Sequence, residues 1–246
     1  NLANCNLFKH QKEGYLWMQN LRQNLLGGLL ADDMGLGKTL QVIAFMCFLK
    51  DNDALSPSLV IAPSTLLDVW EREIGNFSKI TSVYQHRGLN RYKNIEMIKN
   101  YDVVLTTYET LVKDQLILGQ IDWQVVACDE AQKIKNSTTL STIAVKALKA
   151  KTKLAVTGTP VENNLGELWC IVDFVQPGLL NSYNEFRNRF QKPIENNIEK
   201  GDRSRQARDE LLNTIKPVYI RREKEDILDL TKKHEHSLAV DLSSVQ

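Results

Sequence analysis

Short apolar runs alternate with longer segments of helical periodicity along most of the chain. Two of these runs, 59–62 and 125–128, are apolar at every position. Strands that are covered on both faces have this pattern, because neither face meets water. The alternation therefore predicts a three-layer α/β/α domain with a predominantly parallel sheet. The six predicted strands are Gly28–Ala31, Leu59–Ala62, Ser82–Gln85, Val103–Thr107, Val125–Cys128 and Leu154–Thr157.

Two further segments differ from this alternation. Residues 40–49 are apolar nearly all round, which predicts a helix buried in the middle of the domain. Residues 181–216 carry eight basic and six acidic side chains and few large apolar ones. They predict a helical protrusion without a core of its own, interrupted near Pro193 and Gly201. A solvated helical pair and a DNA clamp both fit its charges. The predicted division is a sheet domain over 1–180, this protrusion over 181–216 and a linker over 217–246.

The charge balance and the cysteines narrow the partners and the compartment. The chain has 31 basic and 30 acidic side chains, so any nucleic-acid contact must come from a local surface and not from the overall field. No apolar run approaches the roughly 18 to 20 residues that span a bilayer, so we expect no membrane partner. The cysteines are too scattered for a zinc site or a disulfide framework, which indicates reduced thiols and an intracellular protein. They are Cys5, Cys47, Cys128 and Cys170.

The segment around the first predicted strand has the order that a phosphate-binding loop requires: strand, glycine-containing loop, buried helix. Gly35 and Gly37 would let backbone N–H groups close around phosphates, and the next helix adds the positive end of its dipole. Lys38 would reach the β and γ phosphates, and the Thr39 hydroxyl would bind Mg²⁺. No structural contact is predicted for Lys38. Asp32 stands where the strict pattern has glycine, so the loop is a variant, and a glycine turn beside a chance Gly-Lys-Thr is the alternative.

Two acidic residues follow the fifth predicted strand. Asp129 and Glu130 come directly after the apolar run 125–128, which places Asp129 at the carboxyl edge of the sheet, where ligands of such sheets bind. One carboxylate can hold Mg²⁺ while the other polarises the attacking water, and we assign Asp129 to the metal and Glu130 to the water. A strand-terminal Asp-Glu can also cap the next helix. With Lys38, the pair predicts a catalytic site for phosphoryl transfer.

Three motifs together resemble a known family. They are a Walker A segment at 32–39, a Walker B segment at 129–132 and the run 157–164, and they resemble the first lobe of the Swi/Snf-type ATPases of helicase superfamily 2. The resemblance extends over almost the whole chain. It implies a RecA-like P-loop NTPase fold that uses ATP and Mg²⁺. It also implies a motor that moves along double-stranded DNA, acts on protein–DNA complexes and works with a second RecA-like lobe of the same parent chain.

The resemblance implies roles for further residues. Gln11 would contact the adenine edge, and a polar position on an amphipathic helix is its alternative. The implied nucleotide-binding residues of the loop are Asp33, Met34, Gly35, Leu36, Gly37, Lys38 and Thr39. The implied DNA-contacting residues are Pro63, Ser64, Thr107 and Tyr108, and the implied coupling residues are Thr157 and Thr159. For the hydroxyl-bearing residues among them, capping a helix or a turn is the alternative.

The chain departs from the family's pattern at several points. Gln132 stands where His is commoner, which still permits hydrogen bonding across the site but removes a titratable group. Residues 219–226 resemble the link between the two lobes, but Thr231 stands in the following turn where the family usually has proline. The chain ends at Gln246, before a second sheet domain, so the arginine fingers of that lobe are missing. We therefore expect this fragment alone to hydrolyse ATP at a rate near background.

Alternatives also remain for other side chains and for the function. His234 and His236 could bind a metal weakly or lie on a solvated linker. The tryptophans lie in apolar surroundings that favour core packing over base stacking: Trp17, Trp70, Trp123 and Trp169. A strand-separating or RNA helicase and a non-hydrolysing docking module are the rival functions, and the intact lysine and carboxylates count against the second. The Asp-Glu-Ala-Gln motif and the compact protrusion favour a prokaryotic cytoplasm or nucleoid over a eukaryotic nucleus.

Overall fold

The computed structural model describes residues 2, 6–159, 165–195 and 201–227. Its strands are β1 Gly28–Leu30, β2 Ser58–Ile61, β3 Val83–His86, β4 Val103–Thr106, β5 Asp122–Asp129, β6 Lys149–Val156 and β7 Tyr219–Ile220. Its α-helices are α1 Lys9–Gln23, α2 Lys38–Asp51, α3 Ser64–Phe77, α4 Ile95–Lys99, α5 Tyr108–Lys113, α6 Gln115–Leu118, α7 Leu140–Ala147, α8 Leu165–Val175, α9 Tyr183–Phe186, α10 Lys192–Glu195, α11 Asp202–Ile215 and α12 Lys224–Ile227. All strands of the described residues join one parallel sheet in the order β3-β4-β2-β5-β6-β1-β7.

Helices cover both faces of this sheet and bury two hydrophobic cores. On one face, α1, α2 and α3 pack against side chains such as Leu30 and Val60. On the other face, α5, α7 and α8 pack against Leu29 and Leu59. Successive residues of a strand point to opposite faces, which is why strands with two covered faces are apolar at successive positions. The predicted three-layer architecture is confirmed, and the helix predicted over 40–49 is the buried α2.

The strand predictions differ from the structure where polar residues enter the sheet. β5 and β6 are longer than predicted because they begin at the exposed Asp122 and Lys149, which pair with each other beyond the apolar runs. The strand β7 was missed altogether. Its residues, Tyr219 and Ile220, are only half-buried and belong to a run of just three apolar residues, so the strand is defined by its pairing with β1. The first residues of the predicted linker therefore belong to the sheet.

The predicted protrusion packs its few apolar side chains into the main core, where Phe186, Phe190, Leu211 and Ile215 lie with α8. The helix does not break at Pro193 itself, its α-helical pattern changes just before the proline, and residues 196–200 lie outside the described residues. The helix α9, a π-helical turn over 187–191 and α10 follow one another without a break. The carbonyl four residues before the proline lies in the π-helical turn, where bonding spans five residues, so the missing proline N–H is tolerated there. Gly201 precedes α11, and the division at 181 and 217 stays a prediction.

Three adjacent strands bring the predicted site residues to one edge of the sheet. Asp129 in β5 is the register partner of Val156 in β6, which in turn is the partner of Leu30 in β1. The phosphate loop follows Leu30, and Thr157 follows Val156. Because parallel strands end at the same edge, the loop that carries Lys38 lies on the same side of the sheet as the Asp129 carboxylate.

Candidate active site

A cavity of about 380 Å³ lies at this edge, within the range of about 300 to 1,000 Å³ that small-molecule sites commonly have. The predicted site residues that line it are Met34, Gly35, Gly37, Lys38, Thr39, Asp129, Glu130 and Thr159. It is also lined by Leu66, Val69, Trp70, Gln132 and Gly158. The residues predicted for phosphate binding and for catalysis therefore share one cavity.

The phosphate loop depends on two glycines with left-handed backbones. The φ angle is +86° at Gly35 and +73° at Gly37, and side chains other than glycine rarely adopt such values. Gly37 is also closely approached, since a Cβ atom there would lie 2.4 Å from Nε2 of Gln11 and that side chain would have to move. It is the N-cap of α2, so the first free N–H groups of that helix lie at the cavity, which favours an anion.

Lys38 forms hydrogen bonds with the backbone of the phosphate loop. Its ammonium group donates to the carbonyl oxygens of Asp32 at 2.7 Å and Asp33 at 3.1 Å. Burial lowers the pKa of Lys38, against the opposing effect of nearby carboxylates, of which Asp32 and Asp129 contribute most. The expectation that Lys38 has no structural contact is wrong, because a phosphate-loop motif predicts the phosphate contact of its lysine and not the other acceptors within reach.

The Asp129 carboxylate is held by donors on both of its oxygens. The residue is 8% exposed. Its Oδ1 accepts from the backbone N–H of Glu130 at 2.9 Å, and its Oδ2 accepts from Nε1 of Trp70 at 2.8 Å. The hydroxyl of Tyr108 donates to its main-chain carbonyl at 2.7 Å. Burial raises the pKa of Asp129, and the Trp70 hydrogen bond acts against that rise.

A chain of hydrogen bonds connects Glu130 to the end of β6. Glu130 has a left-handed backbone with φ +49°, a strained state that costs on the order of 1–3 kcal/mol and is common at functional sites. Gln132 Nε2 donates to Glu130 Oε2 at 2.5 Å, and Thr157 Oγ1 donates to Gln132 Oε1 at 2.7 Å. The backbone N–H of Thr159 donates to Thr157 Oγ1 at 3.0 Å. Gln132 therefore bonds across the site, as predicted.

Asp32 explains one departure from the strict phosphate-loop pattern. Its side chain is fully buried and accepts from Nε of Arg222 at 2.9 Å, from Nη2 of Arg222 at 2.5 Å and from Nε2 of Gln41 at 3.1 Å. Arg222 comes two residues after the end of β7, and its carbonyl accepts from the N–H of Asp33 at 3.0 Å. The residue in place of the glycine thus ties the phosphate loop to β7.

A family model, the SNF2-related domain, matches residues 10–246, which is nearly the whole chain. The chain belongs to the SNF2-related family. Among solved structures, the SWI2/SNF2 ATPase core of Sulfolobus solfataricus in complex with double-stranded DNA is 41% identical with a TM-score of 0.80, over 91% of this chain and 46% of that one. A second structure of that core domain gives a TM-score of 0.79 at 41% identity, over 94% of this chain and 46% of that one. The fold is therefore the RecA-like fold of these ATPase cores.

Relatives of this SNF2-related domain come from bacteria and from eukaryotes. Zorya protein ZorD of Escherichia coli O139:H28 is 41% identical over 92% of this chain and 23% of its own length. The putative ATP-dependent helicase/translocase YwqA of Bacillus subtilis is 39% identical over 96% and 26%. The chromatin-remodelling ATPase INO80 of Arabidopsis thaliana is 34% identical over 98% and 17%. The chain thus spans about a quarter or less of the length of these relatives.

Some predicted nucleotide-binding residues of the SNF2-related domain lie behind the cavity and do not line it. Gln11 is buried, accepts from the N–H of Phe8 at 3.0 Å and donates to the carbonyl of Leu36 at 3.4 Å. The Leu36 side chain is buried, and Leu36 is not among the residues that line the cavity. The Asp33 carboxylate accepts from the N–H of Lys224 at 3.0 Å. The adenine contact of Gln11 stays a prediction, and its present partners hold the loop.

The predicted DNA-contacting residues lie at the ends of β2 and β4. Pro63 is the N-cap residue of α3, and Ser64 is the first residue of that helix. The Thr107 side chain caps α5 by accepting from the N–H of Thr110 at 3.0 Å. Tyr108 is buried, with its hydroxyl directed to Asp129 as described above. The helix-capping alternative thus describes the Thr107 contact seen here, and DNA contact at these positions stays a prediction.

Sequence reasoning missed two side chains that hold the site, Trp70 and Arg222. Trp70 packs in the core, as predicted from its apolar surroundings. Leu67, Trp70 and Ile74 form the apolar face of α3, and a buried indole N–H needs a partner, but nothing in the sequence identifies that partner as Asp129. Arg222 lies in a segment assigned to the link, where its pairing with Asp32 had no local signal.

Several predictions fall outside the described residues. They concern residues 160–164 of the run 157–164, the turn that contains Thr231, and the pair His234 and His236. Within the residues that the structure describes, no helix has the length and apolar character that crossing a membrane requires.

Proposed function

We propose that this chain is the ATP-binding motor lobe of an ATP-dependent translocase that moves along double-stranded DNA and displaces or remodels bound proteins. The main support is the strand register, which aligns Leu30, Val156 and Asp129 across three neighbouring strands. This register places the phosphate loop, the paired carboxylates and the Thr157 segment around one cavity. Such an arrangement supports phosphoryl transfer coupled to the neighbouring loops.

The cavity fits a nucleotide with Mg²⁺ in its donor set. An ammonium group, a hydroxyl group and a buried carboxylate line the same space, and hard oxygen ligands are those that Mg²⁺ prefers. Thr39 and Asp129 would hold the ion, which when bound neutralises charge on the phosphate oxygens. Lys38 would exchange the carbonyls of Asp32 and Asp33 for phosphate oxygens, and the N–H groups at the start of α2 would donate to them.

Glu130 would accept the proton of the attacking water. Its left-handed backbone turns it away from the strand direction, and Gln132 holds one of its oxygens, so the other oxygen is left for the water. Gln132 is in turn fixed by Thr157. A movement of the Thr157–Thr159 segment would therefore change the position of the base, which is the coupling role proposed for these two threonines.

We propose double-stranded DNA as one partner and a second RecA-like lobe of the parent chain as the other. The structure of the archaeal SWI2/SNF2 core in complex with double-stranded DNA supports the first. Since this chain covers 46% of that one, a further lobe is expected to supply arginine fingers, which are worth about 10³–10⁵ in rate in comparable systems. The 246-residue chain alone is therefore expected to hydrolyse ATP near background, even with DNA. A prokaryotic cytoplasm or nucleoid stays the proposed location.

The test is ATP hydrolysis by the full-length protein with double-stranded DNA, single-stranded DNA and RNA. Glu130→Gln should retain ATP binding and lose about 10²–10⁴ in turnover. The control Glu96→Gln, at an exposed carboxylate on α4, should behave as wild type. Release of a bound protein from duplex DNA without strand separation supports the translocase. Strand separation or RNA stimulation would favour a helicase, and ATP binding without any turnover would favour a docking module.

A further inference from the structure

Two side chains that hold Asp129 come from helices that begin at the proposed DNA contacts. The helix α3 begins at Ser64, directly after Pro63, and carries Trp70 in its second turn. The helix α5 begins at Tyr108, directly after Thr107. The two loops that would touch DNA are thus each followed by a helix that bonds to the same strand end. The two helices lie on opposite faces of the sheet, so Asp129 is contacted from both faces.

Trp70 fixes the orientation of the carboxylate. The residue is 1% exposed, yet it lines the nucleotide cavity. Its indole N–H occupies Oδ2 of Asp129, while the N–H of Glu130 occupies Oδ1. A carboxylate oxygen has two lone-pair sites, so each oxygen keeps one site for a metal-bound water. The indole therefore sets the plane of the carboxylate without blocking it.

Tyr108 fixes the backbone at the same residue. Its side chain is 4% exposed, and its hydroxyl donates to the Asp129 carbonyl at 2.7 Å. That carbonyl lies at the end of β5, where the chain turns into the left-handed Glu130. The side chain of Asp129 is thus held by α3 and its main chain by α5.

We propose that Trp70 and Tyr108 are positioning residues that transmit DNA contact at the starts of α3 and α5 to the Asp129 carboxylate. The inference rests on the proposed function. A helix moves as a rigid rod over the roughly 9 Å from Ser64 to Trp70, at about 1.5 Å per residue. A shift of its first turn on DNA therefore moves the indole N–H and rotates the carboxylate. DNA contact at the two loops would thereby adjust the orientation in which Asp129 holds Mg²⁺.

The chain offers a control for each residue. Trp123 is also 1% exposed, and its indole N–H donates to the carbonyl of Leu118 at 3.0 Å, away from the cavity. Trp123→Phe removes the same ring atoms and one hydrogen bond without touching the site. For Tyr108→Phe, the control is Tyr84→Phe. The Tyr84 hydroxyl accepts from the N–H of Tyr92 at 2.8 Å, so this variant also removes one hydroxyl group and one hydrogen bond.

The experiment uses the full-length protein in three measurements: the melting temperature, the Mg²⁺ concentration for half-maximal binding of a fluorescent non-hydrolysable ATP analogue, and the ratio of ATPase rates with and without double-stranded DNA. Trp70→Phe and Trp123→Phe should lower the melting temperature by similar amounts. Only Trp70→Phe should raise the half-maximal Mg²⁺ concentration, by about tenfold, which corresponds to about 1.4 kcal/mol for a hydrogen bond to a charged group. Trp70→Phe and Tyr108→Phe should both lower the stimulation ratio, while their controls keep it.

Each outcome decides a separate claim. If Trp70→Phe matches Trp123→Phe in Mg²⁺ dependence and in stimulation, Trp70 only packs, and the inference is overturned. If the Mg²⁺ dependence shifts but the stimulation ratio does not, the transmission from DNA is wrong. If Trp70→Phe does not fold, Tyr108→Phe against Tyr84→Phe still decides the transmission from α5. A wild-type protein that DNA does not stimulate would refute the proposed function itself, and the binding measurement would still test whether Trp70 positions Asp129.

Discussion

Replacing Arg222 by Met should destabilise the chain strongly, because it leaves the Asp32 carboxylate buried without a cation. Asp32 is fully buried, and the Arg222 side chain is 13% exposed. Arg222 Nε donates to Asp32 Oδ1 at 2.9 Å, and Arg222 Nη2 donates to Asp32 Oδ2 at 2.5 Å. Removing one partner of a buried ion pair costs about 3–5 kcal/mol. At about 2–4 °C per kcal/mol for a chain of this size, the melting temperature should fall by about 6–20 °C.

The neighbouring arginine provides the control. Arg221 is 43% exposed and lies 4.0 Å from Asp33 and 3.7 Å from Glu223, so Arg221→Met removes the same charge from the surface. Exposed pairs contribute about 0–1 kcal/mol, so this variant should melt within a few degrees of wild type. The double variant Asp32→Asn with Arg222→Met should recover part of the loss, because no unpaired charge remains. Equal melting temperatures for the two single arginine variants, or no recovery in the double variant, would refute the reasoning.

Three further changes test other parts of the site. Lys38→Ala should abolish binding of a fluorescent ATP analogue while the chain stays folded by circular dichroism, and unchanged affinity would contradict the phosphate role. Gln132→Ala should lower the turnover of the full-length protein and leave its ATP affinity unchanged, because it frees Glu130 without touching the phosphate loop; a loss confined to affinity would contradict this. Asp114 is buried, which opposes its ionisation, but hydrogen bonds from Arg91, Lys93 and His86 lower its pKa. Asp114→Asn should therefore lower the urea midpoint at pH 7, and the difference from wild type should shrink as the pH falls below about 4, since the stabilisation from a lowered pKa is complete above the unfolded pKa and is lost as the pH falls from there towards the folded pKa.

The sheet and its catalytic edge were predictable because they depend on local patterns. Runs such as 59–62 and 125–128 are apolar on both faces, and the carboxyl ends of parallel strands share one edge. Those two facts were enough to place Lys38 and Asp129 together. The strand β7 was not predictable in this way, because a half-buried pair of residues at a sheet edge is a strand only through its pairing with β1.

The contacts that hold the site could not be predicted, because they join residues far apart in sequence. Trp70 and Asp129 are in different elements, and Asp32 and Arg222 follow different strands. The apolar pattern of α3 shows that Trp70 is buried but not which acceptor its N–H meets. For Gln132, the motif position permitted a hydrogen bond across the site, but its partners Glu130 and Thr157 are known only from the structure.

The aspartate in place of the first Walker glycine shows why a motif must be tested position by position. Glycine is needed where the backbone is left-handed or where another group approaches too closely for a side chain. The first condition holds at Gly37, where φ is +73°, and a Cβ atom there would also displace the Gln11 side chain. Neither is shown at Asp32, whose φ is not among the positive values of the described residues and whose side chain is absent from the cavity lining. The position is therefore free to carry a carboxylate, and in this fold the carboxylate binds the arginine that follows the last strand, so the loop and the chain leaving the sheet are held by one ion pair.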